Sequence, residues 1–175
     1  KIVGAASEEG RNLESCHKLG VEVNSRTRSM GVALTSCTVP AVGKPTFDIG
    51  DFEMEMGVGI HGEPGRKRIA IGNADSIAEE MTNAVMEDLN SDPKEPLLLF
   101  INGFGATPSM ELYLMYHCVH KLLNQKGYRV SRSLVGNYVT SLDMSGCSIT
   151  VTSLNPEMMR LWDAPVHTAA LRWKC

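Results

Sequence analysis

Five consecutive apolar residues at positions 97–101 (LLLFI) constrain the fold of this chain more than any other segment. A strand without a polar face must be covered on both sides, as the parallel strands of α/β proteins are. A loop follows at residues 102–108, and helical spacing from about Ser109 to Gln125 ends before Gly127. We therefore predict a central parallel strand, followed by a helix that packs against the sheet.

The rest of the chain alternates between helical and extended patterns. Three further segments have the apolar spacing of helices, at residues 12–27, 76–89 and 156–162. Four segments rich in apolar and β-branched residues are predicted as strands, at residues 31–40, 52–60, 128–140 and 147–153. The second of these helices begins with the capping-box pattern Ser76-x-x-Glu79. This order predicts an α/β fold, a layered domain with a central mixed β-sheet flanked by helices.

Composition and charge exclude several classes of protein. With 43% hydrophobic and 21% charged residues, the 175-residue chain resembles ordinary globular domains rather than disordered or membrane-embedded chains. The net charge of −3 provides no basic field, so neither nucleic acid nor a membrane surface is an expected partner. The five cysteines contain no CxxC pair, which indicates reduced thiols and a cytoplasmic location.

The densest cluster of glycines surrounds one histidine, His61, in residues 57–65 (GVGIHGEPG). Gly57-x-Gly59-x-x-Gly62 matches the dinucleotide fingerprint, but that motif needs a helix directly after it, and residues 63–65 (EPG) break the chain. The glycines could instead build only a bulge and a tight turn, with His61 as an ordinary loop side chain. A third interpretation is that the glycines open the backbone to a small substrate, with His61 as nucleophile, base or ligand.

Other polar residues give weaker signals. Glu63 could orient the His61 ring, although side chains two residues apart in a turn usually point away from each other. His117 and His120 have helical metal-ligand spacing but lack an evident third ligand. Residues 66–68 (RKR) are predicted to form a solvated turn. The loop at 102–108 could bind a ligand or only shape the helix entry. Asp143 and Asp163 could be either catalytic or capping residues, and His167, which follows Pro165 closely, is predicted to pack in the C-terminal tail.

Six sequence blocks together resemble one family, the dihydroxyacetone-binding (K) subunits of dihydroxyacetone kinase. These blocks are residues 27–34 (TRSMGVAL), 37–47 (CTVPAVGKPTF), 57–65 (GVGIHGEPG), 102–108 (NGFGATP), 140–150 (TSLDMSGCSIT) and 161–168 (LWDAPVHT). They have the family order and cover nearly the whole chain, but they correspond only to the C-terminal part of the family pattern. The chain also opens without Met. We therefore expect residues 1–175 to be the C-terminal domain of a two-domain chain whose N-terminal domain is absent here.

The resemblance implies a covalent function for His61, which in the family forms a hemiaminal with the ketone carbon of dihydroxyacetone. A neutral imidazole can add to a carbonyl but not to an alcohol, so this bond would select short ketoses and aldoses over polyols such as glycerol. The family's acid and base residues lie in the absent domain, so no further catalytic residue can be assigned in this chain. We expect this domain to bind no cofactor or metal, since ADP or ATP and Mg²⁺ belong to the nucleotide-binding partner subunit.

The resemblance also implies a homodimer and a kinase partner. Residues 62–65 (GEPG), and a sequence that ends at Cys175 without a nucleotide domain, favour a subunit supplied by the phosphoenolpyruvate phosphotransferase system. Two alternatives stay open: a fused ATP-dependent dihydroxyacetone (glycerone) kinase, and a non-enzymatic paralogue that binds dihydroxyacetone and co-regulates transcription. A nicotinamide-dependent oxidoreductase is a third class, for which we expect no tight binding of dinucleotide.

Overall fold

The computed structural model describes residues 1–61, Glu63 and residues 65–174. Its helices are α1 (Ile2–Glu8), α2 (Leu13–Ser25), α3 (Ala74–Leu89), α4 (Ser109–Gln125) and α5 (Pro156–Asp163). Its strands are β1 (Thr27–Ala33), β2 (Glu53–Met56), β3 (Lys67–Ala70), β4 (Leu97–Gly103), β5 (Val130–Gly136), β6 (Gly146–Ser153), β7 (Val166–His167) and β8 (Arg172–Trp173). None of the helices in these described residues is long and apolar enough to cross a lipid bilayer.

Six strands form one mixed sheet in the order β3-β2-β1-β6-β4-β5. Strand β4 is parallel to β5 and antiparallel to β6, and the other pairs of neighbouring strands are antiparallel. The predicted α/β class and mixed sheet are confirmed. The apolar run at residues 97–101 lies in β4, inside the sheet, but β4 is next to the edge strand β5 rather than at the centre.

Helices cover the two faces of the sheet to different extents. On one face α3 and α4 pack against a continuous core that includes Leu99, Ile101, Ile149 and Val151, all fully buried. Burial of each such side chain stabilises the fold by about 1.5–3 kcal/mol. On the other face, α1, α2 and α5 share a second core with Leu98, which covers one end of the sheet. The remainder of that face is not covered by a helix, and the candidate site lies there.

The first two strands differ from their predicted boundaries. Strand β1 begins at Thr27 rather than at residue 31, because its pairing with β6 runs from Thr27 opposite Thr152 to Ala33 opposite Gly146. Strand β2 ends at Met56 because Gly57 has φ +81°, which leaves the extended region of backbone space. A strand over residues 52–60 would place Phe52 on the same face as the buried Met54, but Phe52 precedes the strand and is 84% exposed.

The prediction of a solvated turn at residues 66–68 is wrong for Lys67 and Arg68. Both residues belong to β3, an edge strand that pairs antiparallel with β2. Lys67 contacts Glu80 of α3 at 2.7 Å, and Arg68 contacts Glu55 of β2 at 2.9 Å. Charged residues are common on edge strands because they discourage pairing with other chains.

Helix α3 was correctly predicted, but its capping residue was not. The side chain of Asn73 accepts a hydrogen bond from the backbone N–H of Ser76 at 2.9 Å, so Asn73 is the N-cap. Ser76 is therefore the third residue of the helix instead of its cap. Asn is as good an N-cap residue as Ser. The pattern Ser76-x-x-Glu79, which begins three residues after Asn73, therefore matches a capping box only in sequence.

The described cysteines are free thiols, as predicted. Cys37, Cys118 and Cys147 are buried, whereas Cys16 is partly exposed and Cys175 lies outside the described residues. Burial raises the pKa of the Cys147 thiol to about 12 and also raises the pKa of Cys118. These two thiols are therefore protonated and unreactive at neutral pH.

We predict that Asp163 contributes to stability in a pH-dependent way. Arg132 of β5 donates two hydrogen bonds to the Asp163 carboxylate, at 2.7 and 2.5 Å, and these bonds lower the pKa of Asp163. The contribution of a carboxyl with a depressed pKa is present above its unfolded pKa and is lost as pH falls through its folded pKa. Asp163→Asn should cost about 1 kcal/mol at neutral pH and flatten the acid limb of the stability curve.

Urea denaturation between neutral and acidic pH measures this effect. The matched control is Asp51→Asn, at an exposed position in the loop before β2. Equal losses of stability at neutral and acidic pH in Asp163→Asn would show that the ion pair does not contribute as described.

Candidate functional site

Residues 57–65 connect β2 to β3 at the edge of the uncovered sheet face. A third small core holds this segment down, and it contains Val58, Phe104 and Met144, with Ile60 packed against it. Gly62 and Pro64 lie outside the described residues. In the described part of the segment the chain runs into β3, and the next helix begins only at Ala74. The segment therefore lacks the helix N-terminus that a bound pyrophosphate requires.

The side chain of His61 is 79% exposed and contacts Glu63. The Nδ1 atom of the ring lies 3.0 Å from Oε1 of Glu63, while Oε2 accepts a hydrogen bond from the backbone N–H of His61 at 3.0 Å. The expectation that these two side chains point apart is therefore wrong. One carboxylate binds both the ring and the backbone of the candidate nucleophile.

The carboxylate selects the form of the imidazole that can act as a nucleophile. An ionised carboxylate only accepts hydrogen bonds, so the proton of a neutral ring lies on Nδ1 and the lone pair lies on Nε2. Hydrogen bonds from the backbone of Glu63 itself, from the backbone of His61 and from the ring lower the pKa of Glu63. Glu63 is therefore ionised at neutral pH.

Two glycines leave room for side chains of the same segment. A Cβ atom on Gly59 would lie 2.1 Å from Oε2 of Glu63, and a Cβ on Gly57 would lie 2.8 Å from Cγ of Arg66. The sequence interpretation was that the glycines open the backbone to substrate. In the structure the space above Gly59 is occupied by the Glu63 carboxylate, so this glycine is needed for the contact with His61.

A cleft of about 470 Å³ lies beside His61 on the uncovered face of the sheet. Three adjacent strands form its floor, through the small or polar residues Ser29, Gly31, Asn102, Ser148 and Thr150 and the larger apolar residues Met30 and Phe100. Residues 57–60, Glu63 and Arg66 form one wall. His61 itself is not among the lining residues, whereas its neighbour Ile60 and its partner Glu63 are.

The loop after β4 has a structural function in this chain. Asn102 is buried, and its side chain donates to the carbonyl of Val139 at 2.7 Å and accepts from the backbone N–H groups of Tyr138 and Val139. Thr107 donates its hydroxyl to the carbonyl of Gly146 at 2.6 Å. The loop thus fixes the segment between β5 and β6, although Asn102 also contributes to the cleft floor.

The remaining candidates have structural partners. The Nδ1 atom of His120 lies 3.2 Å from the Asn124 amide nitrogen, and no group of three potential metal ligands occurs among the described residues. Asp143 accepts a hydrogen bond from the backbone of Thr38 at 2.7 Å, and Asp163 pairs with Arg132. His167 was predicted to pack in the tail, but it is exposed in the small β7–β8 hairpin.

Sequence reasoning missed one residue of the site. Ser141 donates its hydroxyl to the carbonyl of Ile60, the residue before His61. The two residues are 81 positions apart, and no local pattern could connect them. The only available signal was that Ser141 lies in one of the six family-like blocks.

The fold and the site define an α/β domain with an exposed, carboxylate-bound histidine on a glycine-rich segment. A family model described as the Dak1 domain matches residues 1–170. This chain therefore belongs to the Dak1 domain family.

Individual relatives agree with this assignment. The dihydroxyacetone-binding subunit DhaK of the PEP-dependent dihydroxyacetone kinase of Escherichia coli K12 is 41% identical over 197 residues, covering 99% of this chain and 55% of that protein. DhaK of the PTS-dependent dihydroxyacetone kinase 1 of Listeria innocua is 42% identical over 174 residues, covering 97% and 52%. A solved structure described as the dihydroxyacetone kinase operon co-activator Dha-DhaQ has a TM-score of 0.88 and 33% identity, covering 94% and 51%. The chain spans about half the length of these relatives.

We predict that Gly59→Ala separates Glu63 from His61. The new methyl group would occupy the position of Oε2, and the flexible carboxylate would move away from the ring. The ring would then shift from the Nδ1–H tautomer towards the Nε2–H tautomer, which nitrogen NMR of the labelled protein detects. Gly4→Ala, at a helical position with open space around it, is the control. An unchanged His61 tautomer in Gly59→Ala would contradict the account of this glycine.

Proposed function

We propose that this chain is part of the substrate-binding subunit of a dihydroxyacetone kinase, a phosphotransferase. His61 holds dihydroxyacetone as a hemiaminal while a nucleotide-bound partner subunit phosphorylates it to dihydroxyacetone phosphate. The observation that carries this proposal is the contact between Nδ1 of His61 and Glu63, because it leaves Nε2 as the nucleophile on an exposed ring. Membership of the Dak1 family and the similarity to DhaK subunits of dihydroxyacetone kinases support it.

The residues of this chain can perform the addition step. The Nε2 lone pair forms a bond to the carbonyl carbon, and the π electrons move to the oxygen, which takes a proton from solvent. The ring becomes positively charged and then returns its Nδ1 proton to solvent, so the adduct is neutral and the reaction is an addition without a leaving group. Glu63 stabilises the positive ring, because its carboxylate lies 3.0 Å from Nδ1.

The covalent bond would determine both selectivity and orientation. Glycerol has no carbonyl and cannot form it, whereas dihydroxyacetone and related ketoses or aldoses can. A tethered substrate presents its terminal hydroxyl at a fixed position, which accelerates phosphoryl transfer through proximity. ADP or ATP with Mg²⁺ would be bound by the partner subunit, and the phosphotransferase system would supply the phosphoryl group. The acid and base residues for this transfer would lie in another domain of the same subunit.

The resemblance to a co-activator favours a second candidate function. The structure described as Dha-DhaQ has the TM-score of 0.88 reported above. A protein of that kind would also need the His61 bond to sense dihydroxyacetone, but it would not transfer a phosphoryl group. Assay of dihydroxyacetone phosphate formation with the kinase partner subunits separates the two functions, since only the enzyme subunit yields product.

Assembly and location belong to the same proposal. We expect a cytoplasmic homodimer, consistent with the free thiols among the described residues and with the proposed intracellular phosphoryl donor. Size-exclusion chromatography with light scattering on the intact protein should give the mass of a dimer. A monomer mass would contradict this part of the proposal without affecting the chemistry of His61.

We predict that His61→Ala abolishes the covalent bond and leaves the fold intact, because an exposed loop side chain contributes little to packing. With ¹³C-labelled dihydroxyacetone, the C2 signal should move from a ketone to a tetrahedral shift in the unsubstituted protein only. Adduct formation should also weaken in acid, because a protonated imidazole has no lone pair. His17→Ala, at an exposed position of α2, is the control. Binding with an intact carbonyl, together with full affinity in His61→Ala, would refute the mechanism.

A further inference from the structure

The hydroxyl of Ser141 holds the backbone immediately before His61. Ser141 is 5% exposed, and its Oγ donates to the carbonyl oxygen of Ile60 at 2.5 Å. We propose that Ser141 is a positioning residue of the site, which fixes the peptide unit of His61 so that Glu63 can orient the ring. The expected effect of Ser141 on the affinity for dihydroxyacetone rests on the proposed function, whereas its expected effect on the orientation of the His61 ring does not.

Both polar groups of one peptide unit are held by side chains. Between Ile60 and His61, the carbonyl accepts from Ser141 and the N–H donates to Oε2 of Glu63 at 3.0 Å. Rotation of this peptide plane would break both bonds together. It would also disturb the contact between Nδ1 and Oε1 of Glu63, because the same carboxylate binds both the His61 N–H and the ring. The orientation of the ring therefore depends on the carbonyl that Ser141 binds.

Ser141 can act in this way because its own backbone is fixed to the core. Its N–H donates to the carbonyl of Phe104 at 2.7 Å, and its carbonyl accepts from Met144 at 3.0 Å. Phe104 and Met144 are fully buried in the small core beneath the site. The bond to Ile60 thus connects an exposed segment to a rigid one.

If Ser141 only stabilised the fold, removal of another buried hydroxyl nearby should affect the His61 ring equally. Thr107 provides the comparison, since it is also buried and its hydroxyl binds the first residue of β6, through the carbonyl and the N–H of Gly146. The hydroxyl of Thr107 bonds to Gly146 and not to residues 57–61. Thr107→Val therefore removes a comparable hydroxyl without releasing the Ile60 carbonyl.

The test compares Ser141→Ala, Ser141→Thr and Thr107→Val in the intact protein. Nitrogen NMR of the His61 ring should show loss of the Nδ1–H tautomer in Ser141→Ala, recovery in Ser141→Thr, which retains the hydroxyl, and no change in Thr107→Val. The affinity for dihydroxyacetone should fall by about tenfold in Ser141→Ala, as expected for loss of one buried hydrogen bond. If Ser141→Ala does not fold, Ser141→Cys provides the same comparison with a weaker donor.

The tautomer of the His61 ring and the binding of dihydroxyacetone test the positioning function of Ser141 separately from the proposed function of the protein. An unchanged ring tautomer and unchanged affinity in a folded Ser141→Ala variant would overturn the positioning function. Equal tautomer shifts in Ser141→Ala and Thr107→Val would also overturn it, because they would indicate general loosening. A shift confined to Ser141→Ala, in a protein that forms no adduct with dihydroxyacetone, would support Ser141 and reject the proposed function.

Discussion

The rest of the structure depends on one constraint, which is that β6 pairs with β1 along one side and with β4 along the other. The residues of β6 pair with β1 from Gly146 to Thr152 and with β4 from Cys147 to Ser153, both antiparallel. This arrangement brings three distant parts of the sequence together at one end of the sheet. The segment before β6, the loop after β4 and the end of β1 all meet beneath residues 57–61, where Ala33, Phe104 and Met144 belong to the small core. The position of His61 is therefore a consequence of strand pairing rather than of its local sequence.

Elements with a strong periodicity of apolar residues could be predicted from sequence. Elements whose stability or bounds depend on neighbouring strands and helices could not. Helix α4 has its predicted bounds because its apolar spacing and flanking residues agree. The short helix α1 and the charged edge strand β3 lack a pattern of sufficient length, since each becomes stable only through packing or pairing. The start of β1 is determined by Thr152 on the opposite strand, which local propensity cannot reveal.

The same distinction applies to the site. His61 could be identified from the surrounding glycines and the family-like block, because both signals are local. Glu63 was misjudged because its direction depends on Gly59, whose missing side chain leaves the space that the carboxylate occupies. The contact of Ser141 with Ile60 joins residues that only the tertiary fold brings together. Sequence therefore identifies the candidate nucleophile, while the fold provides the groups that orient it.

The exposure of His61 has a chemical consequence for how such a site can discriminate among small ligands. A three-carbon polyol offers few groups, and an open cleft of about 470 Å³ next to a segment whose histidine ring is 79% exposed cannot distinguish ligands by enclosure. A covalent bond requires no enclosure, since a carbonyl carbon accepts the Nε2 lone pair and a hydroxyl-bearing carbon does not. What the site must provide is the correct tautomer at a fixed position. The Glu63 carboxylate and the two bonds to the peptide unit of His61 provide both, so discrimination by bond formation is compatible with a site that is open to solvent.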